Sequence, residues 1–183
     1  MKKFLTIMCC AFSILCLSAC QNNVEPQQPK ALKTMTVYFS FSGNTEAVAK
    51  SIATSAKSDI FALEAVNPYP QKQKPREKRV KKEFTGKLPA LKSIPDLSGY
   101  DVVFVGYPIW YSKLPPVVTA FLKKAKLDGK KVAFFCTSGS SPISVTLDEL
   151  KNLIPQTASW IGAKRLTSPQ EAQEWISTLK LNQ

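Results

Sequence analysis

Apolar runs alternate along this chain with segments in which apolar residues recur every three or four positions. The runs predict strands, because β-branched and aromatic residues dominate them and turn residues bound them. Strands are predicted around residues 37–39, over 59–65, 101–106 and 131–136, and within 157–166. Helices are predicted directly after Thr45 and over residues 115–125, 145–154 and 169–179. This alternation favours an α/β fold with a parallel sheet covered on both faces.

Two of the predicted strands differ in their pattern. Residues 59–65, D-I-F-A-L-E-A, place different side chains on alternate faces, which suits a strand at the edge of the sheet. Residues 101–106, D-V-V-F-V-G, form a continuous apolar run, which suits a strand buried on both faces.

A short polar loop follows the first predicted strand, within residues 36–45, T-V-Y-F-S-F-S-G-N-T. Its residues turn the chain or cap helices: they are Ser40, Ser42, Gly43, Asn44 and Thr45. Val48 and Ile52 then lie four positions apart, as on one face of a helix. Because a helix N-terminus presents backbone N–H groups outward, this loop suits a phosphate.

Two further loops are expected beside the first. In an open α/β sheet, ligands bind beyond the carboxyl ends of the strands. The second loop is residues 107–112, Y-P-I-W-Y-S, and the third is residues 137–142, T-S-G-S-S-P. A phosphate loop beside a proline-stiffened aromatic loop and a hydroxyl-rich loop would hold a flat apolar ring with a phosphate tail. Flavin mononucleotide (FMN) fits that description.

The sequence lacks the residues that several kinds of catalytic and binding site require. There is no histidine, which excludes Ser-His-Asp triads, Cys-His pairs and histidine metal sites. No C-x-x-C occurs, and neither do the glycine fingerprints G-x-G-x-x-G and G-x-x-x-x-G-K-[ST]. A phosphate loop without a lysine favours holding a phosphomonoester over hydrolysing a triphosphate.

The N-terminus has the layout of a secretory signal. Residues 1–20 combine Lys2 and Lys3 with an apolar run and small residues before Cys20. The sequence L-S-A-C at residues 17–20 resembles the lipobox of bacterial lipoproteins, in which the cysteine is lipidated. Residues 21–33 are then a polar tether and residues 34–183 one domain. An ordinary signal or an uncleaved anchor are the alternatives, and the protein is cytoplasmic if the signal is not used.

The chain is strongly basic, with a formal net charge of +12, which becomes +10 when Lys2 and Lys3 leave with the signal. Many of the basic residues lie within residues 68–95, which we interpret as a solvated helix with irregular flanks. Anionic lipid, an acidic redox partner or a polyanion could be attracted to this segment. Nucleic acid is not expected, because aromatic residues are not interleaved with the basic ones.

Across residues 34–179 the chain resembles the bacterial flavodoxins. S-F-S-G-N-T is similar to their phosphate loop, [ST]-x-[ST]-G-N-T, and G-Y-P-I-W-Y-S-K-L-P with F-C-T-S-G-S-S resembles the loops after their third and fourth strands. The resemblance implies a three-layer sandwich around a five-stranded parallel sheet of order 2-1-3-4-5, with non-covalent FMN. It implies a phosphate site at Ser40, Phe41, Ser42, Gly43, Asn44 and Thr45. The isoalloxazine ring would lie between Pro108, Ile109, Trp110 and Tyr111 on one side and Thr137, Ser138, Gly139 and Ser140 on the other.

The chain also departs from the flavodoxin pattern. Its third loop has less glycine and contains Pro142, and Tyr111 and Ser112 stand where the second loop often has tryptophan and glycine. Electron-carrier flavodoxins are usually acidic, whereas this domain is basic.

The sequence leaves two candidate functions. One is an FMN redox protein of the cell envelope, membrane-bound through its lipid anchor, working in electron transfer or as an NAD(P)H- or quinone-linked oxidoreductase whose donor and acceptor the sequence leaves open. The alternative is an FMN-free scaffold or binding lipoprotein that uses its basic helix on an anionic partner or membrane.

Overall fold

The apolar runs form one parallel sheet in the computed structural model, which describes residues 31–179 and residue 181. The strands are β1 (Thr34–Tyr38), β2 (Asp59–Ala62), β3 (Val102–Pro108), β4 (Lys131–Thr137) and β5 (Ser159–Arg165). Their order is β2-β1-β3-β4-β5, and every neighbouring pair is parallel. The predicted fold is therefore confirmed. The predicted signal with Cys20, and residues 21–30 of the tether, lie outside the described residues.

Helices cover both faces of the sheet. They are α1 (Asn44–Ala56), α2 (Gln73–Thr85), α3 (Pro116–Leu122), α4 (Ser144–Leu153) and α5 (Pro169–Thr178). One buried cluster joins α1 and α5 to the sheet and includes Ile52, Trp175, Phe104 and Phe135. The other joins α2, α3 and α4 to the opposite face and includes Val80, Phe121, Leu150 and Phe134. Two helices on one face and three on the other make the three-layer sandwich.

Strand β1 begins at Thr34, before the apolar run that predicted it. Thr34 and Thr36 are both buried, and burial of a hydroxyl is tolerated where it is hydrogen-bonded. Thr34 Oγ1 donates to the carbonyl of Ala56 over 3.1 Å, and the hydroxyls of Thr36 and Ser58 lie 2.9 Å apart. These bonds explain how polar residues extend a buried strand.

Strand β2 lies at the sheet edge, as predicted, but ends at Ala62 rather than at residue 65. The Leu63 N–H still donates to the Tyr38 carbonyl over 2.7 Å. Ala65 then pairs with Leu91 in an isolated antiparallel bridge. The chain thus leaves the sheet to pair with a returning segment.

The basic helix α2 lies beside the loops at the carboxyl end of the sheet. Its lysines are exposed, as the sequence predicts, whereas its two arginines turn inward. The Arg76 guanidinium lies 4.3 Å from the ring centroid of Phe41, and that of Arg79 lies 4.3 Å from the ring centroid of Tyr69. Both arginines therefore fix the helix against aromatic side chains. Among residues 31–179 no helix is both long and apolar enough to cross a bilayer.

Candidate functional site

The first loop ends in a helix N-terminus without a side-chain cap. Gly43 is the N-cap residue of α1 and has a φ of 92°, in the left-handed region that favours glycine. Its N–H is bound by Ser40 Oγ at 3.1 Å, and the first helical bond runs from the Ala47 N–H to the Gly43 carbonyl. The backbone N–H groups of residues 44–46, between Gly43 and Ala47, have no intrahelical partner. They are therefore free to bind an anion.

A cleft of about 590 Å³ opens where the three loops meet. It contains residues of all three predicted loops: Ser42, Asn44, Pro108, Ile109, Thr137, Ser138 and Gly139. Its size falls within the range of small-molecule and cofactor sites. The structure thus brings together seven of the residues predicted for one ligand.

The N-terminus of α5 lines the same cleft but is already capped. Ser168 Oγ accepts the Glu171 N–H over 3.2 Å. The Glu171 carboxylate accepts the N–H and the hydroxyl of Thr167, each over 2.8 Å, and these two hydrogen bonds hold the pKa of Glu171 below its usual value. Because α5 satisfies its own first turn, α1 is the helix that offers free amides to the cleft.

A buried hydroxyl pair joins the first loop to the end of β4. The Oγ1 atoms of Thr45 and Thr137 lie 2.8 Å apart. Thr45 is 1% exposed and Thr137 is 9% exposed. The pair fixes the start of α1 against β4 at the floor of the cleft, which Thr137 lines.

The second loop is closed by a tight turn. Trp110 and Lys113 exchange both backbone hydrogen bonds, at 3.1 and 2.9 Å. The two residues between them, Tyr111 and Ser112, have φ values of 52° and 58°. Positive φ at both central positions is the type I′ geometry, which usually takes glycine or asparagine. This conformation explains why glycine is suited to the position of Ser112.

The ring of Trp110 points into an aromatic cluster and does not line the cleft. It makes edge-to-face contacts with the rings of Phe39, Phe41 and Tyr69, with centroids 5.3, 5.7 and 5.0 Å away. Tyr111 is 48% exposed and contacts Phe84 edge-on at 6.4 Å. On the second loop, Pro108 and Ile109 are therefore the residues that the cleft presents to a ligand.

The remaining predicted residues lie close to the cleft without lining it. Ser40 and Phe41 line a separate pocket of about 180 Å³ on the other side of the first loop. Gly43 is exposed at the start of α1, and Ser140 is exposed on the third loop.

Two polar residues of the cleft were missed from the sequence. Arg165 is the last residue of β5, Thr167 follows shortly after it, and both line the cleft beside the third loop. A basic residue at the carboxyl end of a parallel strand is a signal that could have identified Arg165, since strand ends of this kind meet at one edge.

Cys136 lies at the carboxyl end of β4, one residue before the cleft residue Thr137. It is fully buried in β4 as a free thiol, and burial raises its pKa to about 12. No group of three or more candidate metal ligands occurs in the part of the chain that the structure describes.

Residues 33–179 match the family model described as flavodoxin. The chain belongs to the flavodoxin family. This result confirms the resemblance seen in the three loops. The match covers all ten helices and strands described above.

Similar flavodoxin folds occur in solved structures. A protein assigned as a flavoprotein from Bacteroides eggerthii is 28% identical, with a TM-score of 0.73, over 82% of this chain and 99% of that chain. One from Bacteroides uniformis is 28% identical, with a TM-score of 0.70, over 80% and 99%. A flavoprotein in complex with FMN from Lactobacillus acidophilus is 20% identical, with a TM-score of 0.68, over 79% and 99%, and shares the fold. No curated protein matches the chain significantly.

Proposed function

We propose that this flavodoxin-family protein binds FMN in the cleft and acts as a redox protein. The observation that carries the proposal is the uncapped N-terminus of α1 in a cleft whose other helix end is capped. The flavodoxin family and the neighbour that binds FMN support the choice of cofactor.

The residues of the cleft fit the two ends of FMN. The phosphate would accept hydrogen bonds from the free amides of α1 and from the exposed side chains of Ser42 and Asn44. The ring would lie between the second loop, at Pro108 and Ile109, and the third loop, at Ser138 and Gly139. When bound, FMN supplies the electron-transfer chemistry, so the protein has to bind, orient and shield it.

The reaction class that fits is electron transfer or an oxidoreduction linked to NAD(P)H or a quinone. The predicted site residues that line the cleft carry hydroxyl, amide and apolar groups, and Arg165 adds a guanidinium. These groups orient a ligand and donate hydrogen bonds. NADPH consumption by the FMN-loaded protein, with and without a quinone, separates an enzyme from a carrier.

The first test is FMN titration of the purified protein, followed by quenching of flavin fluorescence. We expect micromolar or tighter binding of one FMN per chain. The S42L/N44L variant crowds the α1 amides with exposed side chains and should lose at least about tenfold in affinity. The matched control is Q170L, at the capped N-terminus of α5, which should bind as the unmodified protein does. Equal affinity in all three would contradict the proposed phosphate site.

We further propose that the protein is held at the cell envelope by a lipid on Cys20. The support is the L-S-A-C sequence after an apolar run and a basic start. Mass spectrometry of the mature N-terminus tests this directly. A diacylglyceryl-modified Cys20 is expected, and an unmodified Met1 would contradict it.

The FMN-free scaffold is the second candidate, and the exposed lysines of α2 favour it. A protein of this kind would bind an anionic surface with or without flavin. Failure to bind micromolar FMN, together with binding to anionic but not neutral vesicles, would replace the redox proposal with this one.

A further inference from the structure

The end of β5 holds the third loop through one side chain. Arg165 Nε donates to Ser138 Oγ over 2.9 Å. Its Nη2 atom donates to the carbonyls of Ser138 and Gly139, each over 3.0 Å. Three bonds from one planar guanidinium fix both the position and the orientation of these two residues.

A second link closes the loop on itself. Ser138 Oγ accepts from Arg165, so its single hydroxyl hydrogen is free to donate, and it donates to the carbonyl of Ser141. One guanidinium and one hydroxyl thus connect residues 138–141 to the end of β5. Gly139 does not have a positive φ, so a left-handed backbone at this glycine is not what sets the shape of the loop.

This arrangement sets the direction of two backbone amides. In a trans peptide the carbonyl of one residue and the N–H of the next point in opposite directions. Since the carbonyls of Ser138 and Gly139 face Arg165, the N–H groups of Gly139 and Ser140 point away from it. Neither N–H has a hydrogen-bond partner among the described residues.

We propose that Arg165 is a positioning residue for the flavin ring. It holds the amides of Gly139 and Ser140 as two ready donors for the carbonyl oxygens and ring nitrogens that an isoalloxazine presents along its edge. A loop ordered in advance costs less conformational entropy when the ligand binds. The inference rests on the proposed FMN site and adds the residue that holds the third loop of that site in place.

The test compares Arg165→Lys and Arg165→Gln with the unmodified protein. Lysine keeps the charge but lacks the planar fork that reaches two carbonyls and a hydroxyl at once. The matched control is Lys164→Gln, which removes one positive charge from the neighbouring, exposed residue of β5. Dissociation constants are measured for FMN and for riboflavin, which has the ring but lacks the phosphate.

We expect both Arg165 variants to bind FMN and riboflavin about tenfold more weakly, because the loss concerns the ring and not the phosphate. Lys164→Gln should stay within about twofold for both. Unchanged affinity in Arg165→Lys would mean that the charge alone matters and would overturn the proposal. So would a loss seen with FMN but absent with riboflavin.

A ligand-free measurement separates this inference from the proposed function. In the unmodified protein the amide order parameters of Gly139 and Ser140 should be near 0.85, and in Arg165→Lys they should fall below about 0.6. If the unmodified protein bound no flavin, the proposed function would fail while this measurement still decided whether Arg165 orders the loop. Should the Arg165 variants not fold, Ser138→Ala removes the shared hydroxyl and should weaken riboflavin binding a few-fold, with unchanged binding counting against the proposal.

Discussion

The hydroxyls of Thr45 and Thr137 lie 2.8 Å apart and couple the start of α1 to the end of β4. Both residues are buried, so a hydroxyl that loses its partner would remain without solvent. Two loops of the site are therefore fixed to each other before any ligand is present.

This pair predicts non-additive effects of substitution. T45V and T137V should each lower the free energy of unfolding by roughly 1–2 kcal/mol, since each leaves one buried hydroxyl unpaired. The double variant should cost less than the sum, because it removes both groups at once. Urea unfolding of the FMN-free protein measures all three. Strict additivity would show that the two hydroxyls do not interact.

Gly43 should be sensitive to replacement for a conformational reason. A Cβ atom at this position would contact nothing within 4 Å, but its φ of 92° is strained for any L residue. We expect G43A to destabilise the protein by about 1–2 kcal/mol. The control is G139A, which is also sterically free but lacks a positive φ, and which should stay within about 0.5 kcal/mol. Equal effects in thermal unfolding would refute the conformational argument.

Cys136 should resist alkylation in the folded protein. Burial raises its pKa to about 12, so at pH 8 the reactive thiolate is almost absent, and iodoacetamide has no access to the side chain. Peptide mapping should find Cys136 unmodified after native treatment and fully modified in urea. Rapid native labelling at pH 8 would mean that the interior of β4 opens readily.

Positive charge beside the site should raise the reduction potential above that of an acidic flavodoxin. Reduction adds negative charge to the flavin, and positive surroundings favour the charged form. Lys113 directly follows the second loop and lies over the ring of Phe84. Potentiometric titration should show that the reduction potential falls from the unmodified protein to K113Q and again to K113E, by on the order of ten millivolts for each unit of charge. K151E, on α4, is the control and should leave the potential unchanged, and a carrier-like low potential in the unmodified protein would contradict the argument.

The sheet was predictable because its strands carry their signal locally. A continuous apolar run such as residues 101–106 has few alternatives once turns bound it. The start of β1 was missed because tertiary hydrogen bonds, such as that of Thr34, extend the strand. The three loops were predictable for the same reason, since each follows a strand directly.

Side-chain direction within those loops was not predictable. Trp110 turns toward Phe39 and Tyr69 because the end of β1 and the segment before α2 place aromatic rings there, which strand and helix periodicity does not reveal. Arg165 is 27 residues from Ser138 in sequence, and their contact arises only through the register of β4 against β5. A local sequence pattern carries no information on long-range pairing of this kind.

The most direct test of the central claim is the ratio of the riboflavin and FMN dissociation constants for the unmodified protein. The two ligands share the ring and differ in the phosphate, which we place at the free amides of α1. Two or more charge-assisted hydrogen bonds to a phosphate predict that FMN binds at least about 100-fold more tightly than riboflavin. Equal affinity for the two ligands would contradict the account, because the N-terminus of α1 would then not be a phosphate site.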